Sequence, residues 1–146
     1  MSKSVIRRAN VGDVSAVREL MGELGYDVEL GTLESTLRAL VASQQSVVLV
    51  HEADGRVDAL LAMSFRPQLH RGSLTATIDE LVTRREHRGR GIGRALVQVA
   101  VDEVRRRGAL TIELSTRRDR ESYERGFYDS CGFAESPSAL FRMVLS

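Results

Sequence analysis

The stretch ELVTRREHRGRGIGRALV, Glu80 to Val97, decides what kind of fold this chain builds. It begins inside a strand-like run, Leu74–Thr83 (LTATIDELVT), and ends inside a long amphipathic helix. Ile92, Leu96, Val99, Ala100 and Val104 recur at helical spacing and form the apolar stripe of that helix. Arg105, Arg106 and Arg107 fall in its last turn, where cations suit the helix dipole, and Gly108 offers a C-cap. Between strand and helix lie Gly89, Gly91 and Gly93 among Arg88, Arg90 and Arg94. Glycines let the main chain approach a ligand closely and aim several N–H groups into one concavity. The following helix adds the positive end of its dipole, and the arginines add permanent charge. Strand, loop and helix in this order describe a site for a diphosphate. The plainer account of the same residues is a tight turn carrying solvated arginines.

Two familiar phosphate loops do not fit. A Walker A loop ends in Gly-Lys-Ser/Thr, which the chain lacks. A dinucleotide fingerprint needs G-x-G-x-x-G after the first strand, whereas here the spacing is G-x-G-x-G after the fourth strand candidate.

Upstream, Val5–Ala9 reads as a short strand. Asn10 and Asp13 supply N-cap chemistry for a helix built on Val14, Val17, Leu20, Met21 and Leu24, with Gly25 as its stop. A second helix fits Leu33 to Ala42, with Leu33, Leu37, Leu40 and Val41 on one face. Ser46–Glu52 (SVVLVHE) and Val57–Phe65 are strand-like and flank Asp54-Gly55, a strong hairpin signal. Downstream, Leu110–Leu114 reads as a strand, Arg120–Cys131 as a short helix closed by Gly132, and Leu140–Leu145 as a last strand. Pro67 and Pro137 fall between periodic segments. Meander strands followed by strand–helix–strand units predict an α/β sandwich with a mixed sheet.

The 146 residues read as one domain, 1–146, large enough to bury a core without metal or disulfide staples. Apolar runs stay well short of the roughly 20 residues of a membrane span. The start, MSKSVIRRAN, lacks an apolar signal-peptide core, so a cytoplasmic location and no membrane partner are expected. Cys131 alone makes neither an internal disulfide nor a multi-cysteine metal site. His51, His70 and His87 have no metal-ligand spacing, so no metal is expected. The net charge of +1 argues against a bulk polyanion binder, although 20 of the 21 basic residues are arginine. A GC-rich genome accounts for such a bias; anion recognition is the sharper account. Nucleic-acid binding through Arg84–Arg94 is a competing idea, but the loop has no neighbouring aromatic platforms for bases, and no nucleic-acid partner is expected.

Two segments now combine. Arg88, Gly91 and Gly93 spell R-x-x-G-x-G, and Phe127 to Phe133 (FYDSCGF) matches FYxxxGF. In this order and spacing they resemble the Gcn5-related N-acetyltransferase (GNAT) superfamily, and the resemblance spans nearly the whole chain. It implies an α/β (α+β) fold with a mixed, mainly antiparallel central sheet flanked by helices and a strand–loop–helix acetyl-CoA site. By that resemblance Arg88, Gly89, Arg90, Gly91, Ile92, Gly93 and Arg94 grip the pyrophosphate of acetyl-CoA through main-chain N–H groups. Leu81, Val82 and Thr83 would pair their main chain with the pantetheine arm, as an added strand does. The family usually has Val where Thr83 stands and often Pro where Arg85 stands; a main-chain contact tolerates the first change.

Tyr128 matches the family's general acid, which protonates the departing CoA thiolate. A core aromatic is its plainer role. The resemblance offers Asp79 or Glu80 as the base for the amine. Successive strand residues point to opposite faces, so only one of the pair should face the cleft unless a bulge intervenes. A desolvated carboxylate there would be the better base, and a surface one paired with arginine would do nothing. Attack on the thioester is expected to be direct, with Cys131 packed rather than reactive. Where the family often has Asn and a small residue in the helix before FY, this chain has Glu121 and Glu124, which puts a cofactor contact from that helix in doubt.

The implied function is acetyl transfer from acetyl-CoA to a primary amine, a small molecule being favoured over a protein. Phe65–Leu74 (FRPQLHRGSL) and the first helical pair should line the acceptor side. Tyr26, Asp27 and Glu29 would draw a cationic amine there. The alternative is a catalytically silent acetyl-CoA sensor. Small members of the family are often dimers, which leaves a homodimer open.

Overall fold

The computed structural model describes residues 3–146, with the side chain of Glu124 outside the description. Met1 and Ser2, at the start of the MSKSVIRRAN stretch, also lie outside the described residues. The chain divides into two compact units, Met1–Ser115 and Thr116–Ser146.

The first unit holds the sheet. Strands β1 (Ser4–Arg8), β2 (Ser46–Ala53), β3 (Arg56–Gln68) and β4 (Ser73–Thr83) pair antiparallel in chain order. Strand β5 (Thr111–Leu114) joins β4 in parallel after the crossover helix α3 (Ile92–Arg106). The sheet is thus mixed and mainly antiparallel, as the sequence implies. Helices α1 (Val14–Glu23) and α2 (Leu30–Ala42) precede β2. The β2–β3 turn has Asp54 and Gly55 at φ 51° and 80°, the left-handed pair that matches strand twist in a two-residue hairpin.

Alternation divides the core between the two faces of the sheet. Val48, Val50, Leu60, Ala62 and Val82 bury against Val17, Leu20 and Met21 of α1 and Leu33 and Leu37 of α2. Helix α3 covers β2, β3 and β4, burying Leu96, Val97, Ala100 and Val104; Val97 takes the place the stripe gave to Val99. Full burial of each Leu or Val contributes about 1.5–3 kcal/mol, so both faces hold the sheet substantially.

Three boundaries differ from the sequence reading, each for a local reason. Helix α2 starts at Leu30 rather than Leu33 because the Glu29 carboxylate caps it, accepting from the Gly31 and Thr32 amides at 2.8 Å each. Strand β3 runs through Pro67. Phe65 N donates to Gln45 O on the β2 side, and Pro67, two residues on, turns its missing N–H to that same side after β2 has ended at Ser46. In the second unit, Arg120–Cys131 folds as two single turns, α4 (Glu121–Glu124) and α5 (Phe127–Ser130), broken at Gly126 with φ 71°.

Leu140–Leu145 is not a strand. Among the described residues no ladder includes it, and Phe141 and Leu145 are 93% and 82% exposed. Apolar content supplies β propensity, but a strand exists only where a neighbour takes its main-chain groups. Among the described residues no helix is long and apolar enough to cross a membrane.

Candidate active site

The site begins where two strands part. The β4–β5 ladder runs from Thr75↔Thr111 to Ile78↔Leu114 and stops, while β4 continues to Thr83. On its other side β4 stays paired with β3 as far as Ala59↔Thr83, and Arg84 N then donates to Asp58 O at 2.8 Å. Antiparallel ladders alternate between bonded and non-bonded pairs. Glu80 and Val82 share the phase of Arg84 and give their main-chain groups to β3. Leu81 and Thr83 therefore direct theirs to the edge that β5 has left. Arg88 Nε already donates to Thr83 O at 3.1 Å.

A single 3-10 turn, Arg85–His87, follows. Gly89 and Gly91 then take left-handed φ values of 79° and 81°, and Gly91 is the N-cap of α3. A Cβ at either glycine would meet nothing within 4 Å. The space before the loop is open, and α3 starts there with its first amides lacking intrahelical partners. Arg90 and Arg94 are exposed.

Two arginines beside the loop make contacts within the protein. Arg84 is buried, its Nε donating to Val57 O at 3.1 Å and its guanidinium lying 2.5 Å from Glu19. It fastens α1 and β3 to the end of β4 rather than lending charge to the loop. Arg88 lies 3.8 Å from Glu23, so α1 supplies acids to two members of the arginine run.

The acids sit at a bulge. Ala62 opposes Glu80 and Met63 opposes Ile78, leaving Asp79 as the additional residue of β4. Asp79 accepts a hydrogen bond from Ser64, which lies two residues from Ala62 and so on the same face of β3. The bulge thus cancels the alternation and brings both carboxylates to one face. Loss of hydration lifts Asp79 above the ordinary carboxylate range, opposed by the Ser64 hydrogen bond and by the charge of Arg66. Glu80 is lifted by loss of hydration and further by the charge of Asp79. A carboxylate raised in this way holds a proton more strongly, which is what a general base needs.

Tyr128 lies in the second unit, half-buried in α5, edge-on to Phe127 at 5.2 Å and to Phe133 at 6.3 Å between ring centres. Cys131 closes α5 through its amide, which donates to Phe127 O and Tyr128 O. On the α1–α2 connection, Glu29 spends its carboxylate on the α2 cap and cannot offer it freely to an amine. Asp27 remains exposed, 3.9 Å from Arg18.

The histidines differ most from the sequence reading. His51 and His87, which lack metal-ligand spacing in the sequence, both reach Asp58: His51 Nδ1 lies 2.5 Å from one carboxylate oxygen and His87 Nδ1 lies 2.7 Å from the other. The available signal was Asp58 itself, the lone charge inside the apolar run VDALLAMSF. Among the described residues no group of three or more His, Cys, Asp and Glu is placed to hold a metal ion.

This architecture has known counterparts. The family model described as "Acetyltransferase (GNAT) family" matches residues 15–133. The chain belongs to the GNAT acetyltransferase family, whose members use acetyl-CoA and act on amine acceptors. Its relatives place it among the N-acetyltransferases. The Bacillus subtilis protein named "Uncharacterized N-acetyltransferase YhdJ" is 28% identical over 84% of this chain and 85% of its own length. N-alpha-acetyltransferase 30 of Schizosaccharomyces pombe is 37% identical over 58% of this chain and 56% of its own. A solved transcriptional regulator from Bacillus halodurans C-125 is 26% identical, with a TM-score of 0.86 over 97% of this chain and all of that one.

Proposed function

We propose that the chain transfers the acetyl group of acetyl-CoA to a primary amine by direct attack on the thioester, and that residues 1–146 act as one domain. The parting of β4 from β5 carries this proposal: it leaves the main-chain groups of Leu81 and Thr83 facing away from β3, with Thr83 O held by the Arg88 side chain, beside a glycine loop that opens onto a helix N-terminus. Leu81, Val82 and Thr83 would take the two amides of the pantetheine arm as a strand edge takes a peptide. Arg88, Gly89, Arg90, Gly91, Ile92, Gly93 and Arg94 would hold the diphosphate on amides, dipole and charge. The open space before Gly89 and Gly91 fits such a group. The Arg88 side chain would release Thr83 O if that carbonyl is taken by pantetheine.

Asp79 or Glu80 would accept the ammonium proton, either directly or through water, and Tyr128 would protonate the departing thiolate. Two acids on one face beside the acceptor side also favour a cationic amine, which supports a small polyamine-like or amino-sugar acceptor. A peptide N-terminus is the other class, favoured by the likeness to N-alpha-acetyltransferase 30. The family match runs from the first compact unit into the second, which supports reading them as one catalytic domain. The expected location remains cytoplasmic, with a homodimer as the proposed assembly and no nucleic-acid partner. Pairing of Arg84 with Glu19 and Arg88 with Glu23 speaks against the nucleic-acid reading.

The test is a thermal shift with acetyl-CoA and CoA, followed by thiol release over panels of small amines and peptides. Stabilisation and amine-dependent thiol release are expected; absence of any shift sinks the proposal. A shift without turnover on any amine would leave the sensor reading, to which the regulator from Bacillus halodurans lends its name.

A further inference from the structure

We propose that His51, Asp58 and His87 are positioning residues that fix the start of the diphosphate loop. This inference rests on the acetyl-CoA reading for its ligand, but its geometry is independent of it. Asp58 is 1% exposed, and a carboxylate so buried is costly unless its oxygens are satisfied. Here each oxygen meets one imidazole, His51 Nδ1 at 2.5 Å and His87 Nδ1 at 2.7 Å. A carboxylate in its ionised form only accepts, and each imidazole then donates from Nδ1.

The arrangement depends on a second bulge. His51 opposes Ala59 and Glu52 opposes Val57, so Asp58 is the additional residue of β3 against β2. A bulge re-aims a side chain. Here it lets one residue serve both a strand and a loop. Asp58 O accepts from Arg84 N, and the neighbouring Val57 O accepts from Arg84 Nε. Its carboxylate reaches three residues further along the chain, to His87.

His87 is the last residue of the 3-10 turn, directly before Arg88. That turn is held internally by His87 N donating to Arg84 O at 2.9 Å and Arg88 N donating to Arg85 O at 3.2 Å. A single 3-10 turn is too short to be stable alone. The bond from His87 to Asp58 anchors it to the sheet, and His51 holds Asp58 in the orientation that makes this possible. An anchored turn presents the loop amides already in place, so less ordering is left to the ligand.

The test compares His87→Ala with His87→Asn, whose side-chain amide carries an N–H near the position of Nδ1–H. CoA affinity is measured by calorimetry well below the unfolding midpoint, and exchange of the His87 and Arg88 amides by hydrogen–deuterium exchange. His87→Ala is expected to weaken CoA about tenfold and to speed exchange at both amides, with His87→Asn recovering most of each loss. Unchanged amide exchange in His87→Ala overturns the proposal. So does unchanged affinity where wild type binds CoA. If wild type fails to bind CoA, the acetyl-CoA reading falls and the exchange result alone decides whether the anchor is real.

Discussion

Two aspartates in this chain occupy the same kind of place and have different surroundings. Asp58 and Asp79 are each the additional residue of a bulge, one in β3 against β2 and the other in β4 against β3. Asp58 is fully buried with both oxygens satisfied by imidazoles. Asp79 is exposed, receives a hydrogen bond from Ser64, and is lifted in pKa by lost hydration. Burial therefore does not by itself select a proton acceptor. A carboxylate whose oxygens are already taken holds structure together, whereas one partly stripped of water and incompletely compensated is ready for a proton.

Substitutions can break this contrast. Replacing both acids, Asp79→Asn with Glu80→Gln, is expected to lower the acetylation rate at least about 100-fold while CoA affinity stays within about twofold. Rates from thiol release and affinities from calorimetry check both halves. A double variant that keeps most of its rate removes these residues from catalysis. The complementary change, Asp58→Ala, is expected to cost about 2–3 kcal/mol in urea unfolding, because buried His51 and half-buried His87 lose their shared partner. Asp79→Ala should show no comparable loss.

A third aspartate sharpens the comparison. Asp13 is held below the ordinary carboxylate range chiefly by the Arg7 guanidinium, whose nitrogens donate to its two oxygens at 2.9 Å each. Asp13→Ala should cost about 1–2 kcal/mol at neutral pH. The Asp13 contribution is present above the ordinary carboxylate pKa and is lost as pH falls through its lowered value. Asp79 and Glu80 act in the opposite sense: their raised values mean the fold favours the protonated forms, so stability declines as pH rises through them. Unfolding midpoints of Asp13→Ala and Asp79→Asn across acid pH distinguish these slopes.

The smallest expected effect is kinetic. Activity should fall as pH drops through the raised carboxylate values, because the base must be ionised. Asp79→Asn removes the neighbouring charge that lifts Glu80, so any remaining acid limb should move to lower pH. An unmoved limb would show that Glu80 is not the base left behind.

Much of this was legible in the residues. The glycine loop, the Asp54-Gly55 turn and the α3 stripe are local signals, set by neighbours in sequence. The bulge at Asp79 was not legible, because pairing register depends on β3, and the shift between Ala62 and Met63 leaves no mark in β4 itself. The meeting of His51, Asp58 and His87 was hidden for the same reason, since three elements supply it. Glu29 illustrates a third kind of miss: an acid counted as substrate-attracting charge turned out to be a helix cap. Leu140–Leu145 shows the limit of propensity, which cannot supply a ladder partner.

The sheet also carries a kinetic hierarchy. The strands β1 to β4 follow one another as neighbours, although α1 and α2 intervene before β2; β3 and β4 close through a short connection. The parallel partnership with β5 must wait for the whole of α3 to cross over, and it rests on four residue pairs. Non-local pairings form late in folding, because the loop that separates them must close first. The edge beside Leu81 and Thr83 therefore borders the shortest ladder of the sheet among the described residues, and the meander that carries the acids closes without waiting for it.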